Sequence, residues 1–211
     1  MYQEIAGVRI PDSKLAKESM ELAQGLSNHS IFNHAFRTYV FGSLLGKKRG
    51  LKVDEELLFI GSILHDLGLT EKHFGPQRFE VEGADAAYQF LTERGLEKER
   101  ADLVWDAIAL HTSVGIASRK QPEIALVHLG AGVDVIGIGL DELDAELVDE
   151  VLDILPRKNF KKAIIDALIA SIKANPSSAF HAFAMDVARD KIKDFACPTF
   201  AQIVAATPFA E

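Results

Sequence analysis

The sequence predicts an all-α protein, a helical bundle built as a single domain over residues 1–211. Three observations carry that reading. Apolar residues recur at spacings of three and four along most of the chain, which lines one face of a helix at 3.6 residues per turn. Residues that start helices (Asp, Ser, Pro) and residues that end them (Gly, Pro) punctuate this pattern at intervals suited to helices. No segment alternates convincingly with the period of two that a half-buried strand requires.

After Pro11, a first helix shows one face in Leu15, Ala16, Met20, Ala23 and Leu26, and fades at "SNHS". A second runs from about Ile31 to Lys48 and breaks at "GKKRGLKVD", rich in Gly and Lys. Asp54 is placed as the N-cap of a third, with Leu57, Leu58, Ile60, Ile63 and Leu64 as its apolar body and Gly68 ending it near Asp66. Beyond a loop with Gly75 and Pro76, "EVEGADAAYQFLTERG" reads as a fourth helix closed by Gly95, and "KERADLVWDAIALHT" as a fifth. Pro122 starts a sixth, "EIALVHLGAGVDVIG". The stretches "DAELVDEVLDIL", "RKNFKKAIIDALIASIKA" and "SAFHAFAMDVARDKI" continue the period between breaks at Pro156 and "NPSS". In all this makes roughly eight to ten helices. Helices after Asp144 have two readings, covering the core or forming a homo-oligomer interface.

Bulk properties narrow the function. With 48% hydrophobic and 26% charged residues the chain has the balance of a soluble globular domain. A formal net charge of −8 offers no attractive field to a phosphate backbone, which argues against general nucleic-acid binding. Cys197 is the one cysteine, so neither an intrachain disulfide nor a multi-cysteine zinc site can form. The start of the chain lacks the basic and apolar blocks of a secretory signal, and no run of about 18 uncharged apolar residues offers a membrane span. The expectation is a cytoplasmic protein acting on a small molecule, without a nucleic-acid or membrane partner.

The stretch "LLFIGSILHDLGLT", residues 57–70, sets an adjacent His65 and Asp66 at the end of an apolar helix. Burying a polar group without a partner costs about 2–7 kcal/mol, and a carboxylate more. His34 in "IFNHAFRTYVFG" and Asp134 in "LGAGVDVIGIG" pose the same problem. One divalent cation resolves all four at once, since two neutral imidazoles and two carboxylates give it nitrogen and oxygen ligands while it neutralises the acids. Neighbouring helical residues point about 100° apart, so His65 and Asp66 share an ion only where the backbone leaves the helix. Taken singly, each residue has a plainer reading: Asp66 as a turn cap, His34 as a core histidine, Asp134 as the partner of Arg37 or Arg78.

In the order His, His-Asp, Asp across apolar helices, the sequence resembles the HD-domain superfamily of all-helical metal-dependent hydrolases and lyases. The blocks "NHAFRTYVFG", "LHDLGLT", "RFEVEGADAA", "VWDAIALHTSVGIASR" and "LGAGVDVIG" are similar to its cyanamide-hydratase-like branch over about residues 27–137, with 144–211 completing the domain. The resemblance implies His34, His65, Asp66 and Asp134 as ligands of one divalent ion, zinc first, with iron or manganese also suited to two carboxylates. Members with two metals carry a further histidine four residues before the Gly-Ala step; this chain has Phe79 there. His111 alone cannot complete a second site.

The implied reaction is addition of water to a small nitrile such as cyanamide, giving urea. His111 or Asp66 would move the proton, and Asn33, Thr70 and His111 would contact substrate. Asn33 and His111 also have structural readings, as a helix-start cap and as part of a helix end respectively. Arg37 and Arg78 can clamp a phosphate or lock a carboxylate; the structural role is favoured for both, with Glu80, Asp85 or Asp134 as partners. Glu71, Lys72 and His73 read as a solvated loop, and His128, His181 and Trp105 as packing residues. The alternatives are a metal-dependent phosphohydrolase of nucleotides or small phosphate esters, and a catalytically silent binding protein.

Overall fold

The computed structural model describes residues 2–180 and 182–208. The protein is all-α apart from one small hairpin. Its strands, β1 (Glu4–Ile5) and β2 (Val8–Arg9), pair antiparallel with Ile5 opposite Val8. The turn residues Ala6 and Gly7 both have positive φ, 49° and 72°, as a two-residue hairpin of the twist-matched type demands. Strands of two residues are too short to show alternation, so this element was not expected.

Ten α-helices follow among the described residues: α1 (Lys14–Leu26), α2 (His29–Lys48), α3 (Glu55–Leu64), α4 (Phe79–Thr92), α5 (Lys98–Leu110), α6 (Pro122–Ile136), α7 (Ala145–Ile154), α8 (Phe160–Ala174), α9 (Ala184–Lys191) and α10 (Phe200–Ala205). Several start on a side-chain cap. Asp54 accepts from the Leu57 amide as expected, and Ser13 and Asp144 do the same for α1 and α7. The tetrapeptide "SNHS" serves two helices: Ser27 closes α1, and Asn28 accepts from the amides of Ser30 and Ile31 to open α2 two residues before Ile31.

The main apolar cluster draws on the hairpin and on α1 to α7. Helix α3 is its central element, with every residue from Leu57 to Leu64 buried. A smaller cluster joins Leu69 and Phe79 to α8 and α9 through Leu168, Ile172, Ala184 and Ala188. Of the helices after Asp144, α7 supplies Val151 to the main cluster and α8 and α9 form most of the second, whereas α10 buries no residue.

Two close approaches set the frame. Helix α2 meets α6 where a Cβ on Gly130 would lie 2.0 Å from the Thr38 carbonyl oxygen and one on Gly42 would lie 2.7 Å from that of Leu126. Gly68 acts in the same way. Helix α3 already ends at Leu64, so Gly68 does not terminate it; a Cβ there would fall 1.9 Å from the Phe79 carbonyl oxygen, where α4 crosses the turn after Asp66. Gly130→Ala is expected to destabilise the protein by about 3 kcal/mol through forced separation of α2 and α6. That corresponds to a fall of roughly 6–12 °C in Tm, read from a thermal melt; a melt identical to wild type would show that these backbones are not in contact.

Candidate metal centre

Each histidine of the centre reaches it by a local device. His65 is the first residue beyond α3 and His111 the first beyond α5. The last carbonyls of a helix lack intrahelical partners, and each histidine uses one: His65 Nδ1 donates to the Ser62 carbonyl at 2.7 Å, and His111 Nδ1 to that of Ile108 at 2.6 Å. The next residue, Asp66, leaves helical geometry at φ −101°, ψ 15°, which turns its carboxylate towards the ring of His65. His34, in the buried middle of α2, donates from Nδ1 to Asp134 Oδ2 at 2.7 Å.

Because carbonyl and carboxylate oxygens only accept, all three rings carry a proton on Nδ1 and direct Nε2 inward. Burial pushes the imidazolium form of His65 down to about 3, so its Nε2 bears a lone pair at neutral pH. His34 Nε2 lies 3.1 Å from it. Two lone pairs facing each other at that distance repel, and a cation between them relieves the contact. Asp66 Oδ2, 3.4 Å from His65 Nε2 and 3.7 Å from His34 Nε2, is buried and without a hydrogen-bond partner. A cation engages all three, whose donor atoms lie within 4.8 Å of one another. The residues therefore fit a divalent ion. Burial works to raise the carboxyl of Asp66, and His65, His34 and His111 outweigh it, holding the group below its ordinary value.

A family model described as HD domain matches residues 31–155. The chain belongs to the HD domain family. It is similar to cyanamide hydratase DDI2 and cyanamide hydratase DDI3 of Saccharomyces cerevisiae, each 21% identical over 152 residues that cover 70% of this chain and 68% of the relative. HD domains bind divalent metals, and the His34, His65 and Asp66 cluster lies inside the matched region.

The fourth expected ligand of this HD domain stands elsewhere. Asp134 lies behind His34, on the Nδ1 side, and its two oxygens receive four N–H donors. Oδ1 accepts from Arg37 Nε at 2.9 Å and Arg157 Nη1 at 2.7 Å; Oδ2 accepts from His34 Nδ1 and Arg37 Nη2, both at 2.7 Å. These fill the roughly four lone-pair sites of a carboxylate, so in this geometry Asp134 orients His34 and does not face the cluster. Burial works to raise its carboxyl, and the bonds from His34 and Arg37 overcome that and hold it far below the usual carboxylate range.

His111 Nε2 points at Asp66 Oδ1 from 3.9 Å, with its ring edge-to-face with His65, centroids 4.8 Å apart. Phe79 packs edge-to-face on the same imidazole at 5.6 Å, filling the side where a further histidine would have stood. Arg78 Nη2 donates to the buried Glu80 at 2.6 Å, and Thr112, next to His111, donates to the same carboxylate. Burial works to raise the carboxyl of Glu80, and Arg78 outweighs it, keeping the group ionised. His128 holds the His111 carbonyl through Nδ1 at 2.7 Å.

Two expected substrate contacts are committed differently. Asn33 neither caps a helix nor presents a free amide: its Nδ2 donates to the Pro156 carbonyl at 2.9 Å. Thr70 donates to the Leu67 carbonyl at 2.6 Å and borders a cleft of about 650 Å³ together with Ile31, Lys72 and Ala167. Trp105 binds Asp85 through its indole N–H. His181 lies outside the described residues. Sequence reading missed Arg157 and Phe160, whose ring stacks on His34 at 4.6 Å. Both sit far along the chain from their partners, in a stretch expected to be the ordinary start of a helix.

The metal-free protein is expected to lose stability on acidification. The unfolded chain takes up a proton at His65 near its ordinary value, whereas the folded chain resists down to about 3, so the contribution is complete above about 6.5 and falls as pH drops through that window. Near pH 4 the loss is about 3 kcal/mol from this group, and the depressed carboxyls of Asp66 and Asp134 add to it at lower pH still. Urea denaturation at pH 7 and pH 4 measures it; equal unfolding free energies would show that His65 is not buried as a neutral ring.

Proposed function

We propose that the protein is a mononuclear metal-dependent hydratase that adds water to a small nitrile such as cyanamide, giving urea. The observation that carries this reading is the buried, inward-facing set of His34 Nε2, His65 Nε2 and Asp66 Oδ2, of which the Asp66 oxygen has no hydrogen-bond partner. The similarity to relatives named cyanamide hydratases supports the substrate. Two imidazoles and a carboxylate match a catalytic zinc site with an open position, and also suit iron or manganese.

A divalent ion held there supplies Lewis acidity and brings a water's pKa from 15.7 towards about 7. The chain's own groups do the rest. His111, with Nδ1 tied to the Ile108 carbonyl, keeps Nε2 free to take a proton from water and return it to the nitrile nitrogen. Asp66, facing His111 through Oδ1 and the two other histidines through Oδ2, would orient a water on the His111 side. Phe79 on the His111 ring restricts the space beside it, as suits a three-heavy-atom substrate and one metal. Addition of water across the C≡N bond consumes one water and, after tautomerisation, yields the amide of urea with no other product.

The phosphohydrolase reading loses its clamps. Arg37 and Arg78 are each bound to a buried carboxylate, Asp134 and Glu80, and so are not offered to a phosphate. Metal-replete protein is expected to convert cyanamide to urea, followed by carbon-13 NMR. His111→Ala is expected to keep the metal and lose about 10²–10⁴-fold in kcat, whereas His65→Ala and Asp66→Ala lose the metal with the activity. No urea from metal-loaded protein removes the substrate assignment, and phosphate release from a nucleotide panel would replace it with the hydrolase.

A further inference from the structure

The loop Leu155 to Phe160, between α7 and α8, is stitched to the metal-facing side of α2 more closely than a connector needs. Ser30 donates to the Lys158 carbonyl at 2.6 Å, Asn33 to that of Pro156 at 2.9 Å, and Arg37 Nη1 to that of Leu155 at 2.9 Å. Two consecutive non-glycine residues, Lys158 and Asn159, adopt left-handed φ values of 41° and 64°. Such a pair is uncommon and persists only where its surroundings enforce it. The kink has a product: it places Arg157 on Asp134 and Phe160 on His34.

Arg157 Nη1 binds Asp134 twice, at the backbone carbonyl at 2.6 Å and at Oδ1 at 2.7 Å. Phe160, 1% exposed, stacks on the His34 imidazole at 28° between planes. The guanidinium carbons of Arg37 and Arg157 lie 5.4 Å and 4.8 Å from the centroid of the same ring. Charge neutrality at Asp134 does not require Arg157, because Arg37 already forms a two-bond pair with it. What Arg157 adds is direction. It fixes the carboxylate in the plane that receives His34 Nδ1–H, while Phe160 blocks rotation of the ring that would carry Nε2 away from His65.

We propose that Arg157 and Phe160 are positioning residues of the metal centre, acting through Asp134 and His34 to hold the first imidazole in its ligating tautomer and orientation. The proposal rests on the metal reading of the preceding subsection. Partners one layer out from a metal ligand typically govern about 10–100-fold in metal affinity.

The test compares wild type with Arg157→Gln, Arg157→Lys and Phe160→Leu, with a thermal melt as control of folding. Arg157 is 31% exposed at its side chain, so its variants are expected to melt close to wild type even where Phe160→Leu does not. Zn²⁺ affinity is read by chelator competition, and the site geometry by the visible spectrum of the Co²⁺-loaded protein. Arg157→Gln is expected to weaken Zn²⁺ by about 10–100-fold and change the Co²⁺ spectrum, with Arg157→Lys restoring most of both. Unchanged affinity and spectrum in Arg157→Gln, with wild type binding one ion, would overturn the proposal and leave the metal reading intact. A wild type that binds no ion would sink the metal reading instead. The positioning claim is then decided by nitrogen-15 NMR of the metal-free histidines: a His34 that is Nδ1-protonated in wild type and mixed in Arg157→Gln supports it, and identical patterns overturn it.

Discussion

Two imidazole nitrogens facing each other at 3.1 Å, deep inside the protein, constrain the rest of the structure. Neither ring can turn to relieve the contact. Each is held by its other nitrogen, His65 by the Ser62 carbonyl and His34 by the Asp134 carboxylate. Two buried lone pairs so placed call for a cation between them, and the unpartnered oxygen of Asp66 lies beside the same pair. The elements that line the site, α2, the end of α3, the end of α5 and the turn into α8, are organised around holding that cation.

The charges farther out obey the same accounting. Arg37 is fully buried and Asp134 nearly so, which is unfavourable for either alone and tolerable only because every donor and acceptor between them is matched. A pair of this kind contributes little net stability compared with apolar packing, but it imposes direction, and direction is what an imidazole ligand needs. The pair formed by Arg78 and Glu80 does likewise beside His111. These two arginines therefore act on the chain's own carboxylates, which separates this site from one built to grip a phosphate.

Much of the site was legible before folding. His65 and Asp66 stand next to each other at the end of an apolar run, and the need for a helix terminus at that point follows from the 100° between successive side chains. His34 and His111 are polar residues in apolar surroundings for which only a partner gives a reason. Gly68 was legible as important and misread in kind: it lets α4 pass, and α3 ends four residues earlier. Asp134 was correctly paired with Arg37 as an option, yet its separation from the three-residue cluster depends on which nitrogen of His34 it meets, and that is a matter of ring orientation. Arg157 and Phe160 carried no local cue, because a left-handed turn at Lys158 and Asn159 is what brings them to partners many residues away.

The sequence by itself determined the all-α class, the caps and breaks that delimit most helices, and the residues with chemistry to offer, because these follow from short-range periodicity, local hydrogen bonding and the cost of burying polar groups. Tertiary structure alone decided which of those residues share a site and which stand behind it. That choice is made by glycine contacts that let α2 meet α6 and α4 cross the HD turn, and by a loop that returns from α7 to lie on α2. Distances across helices depend on packing between surfaces far apart in the chain, and no local pattern of residues encodes them.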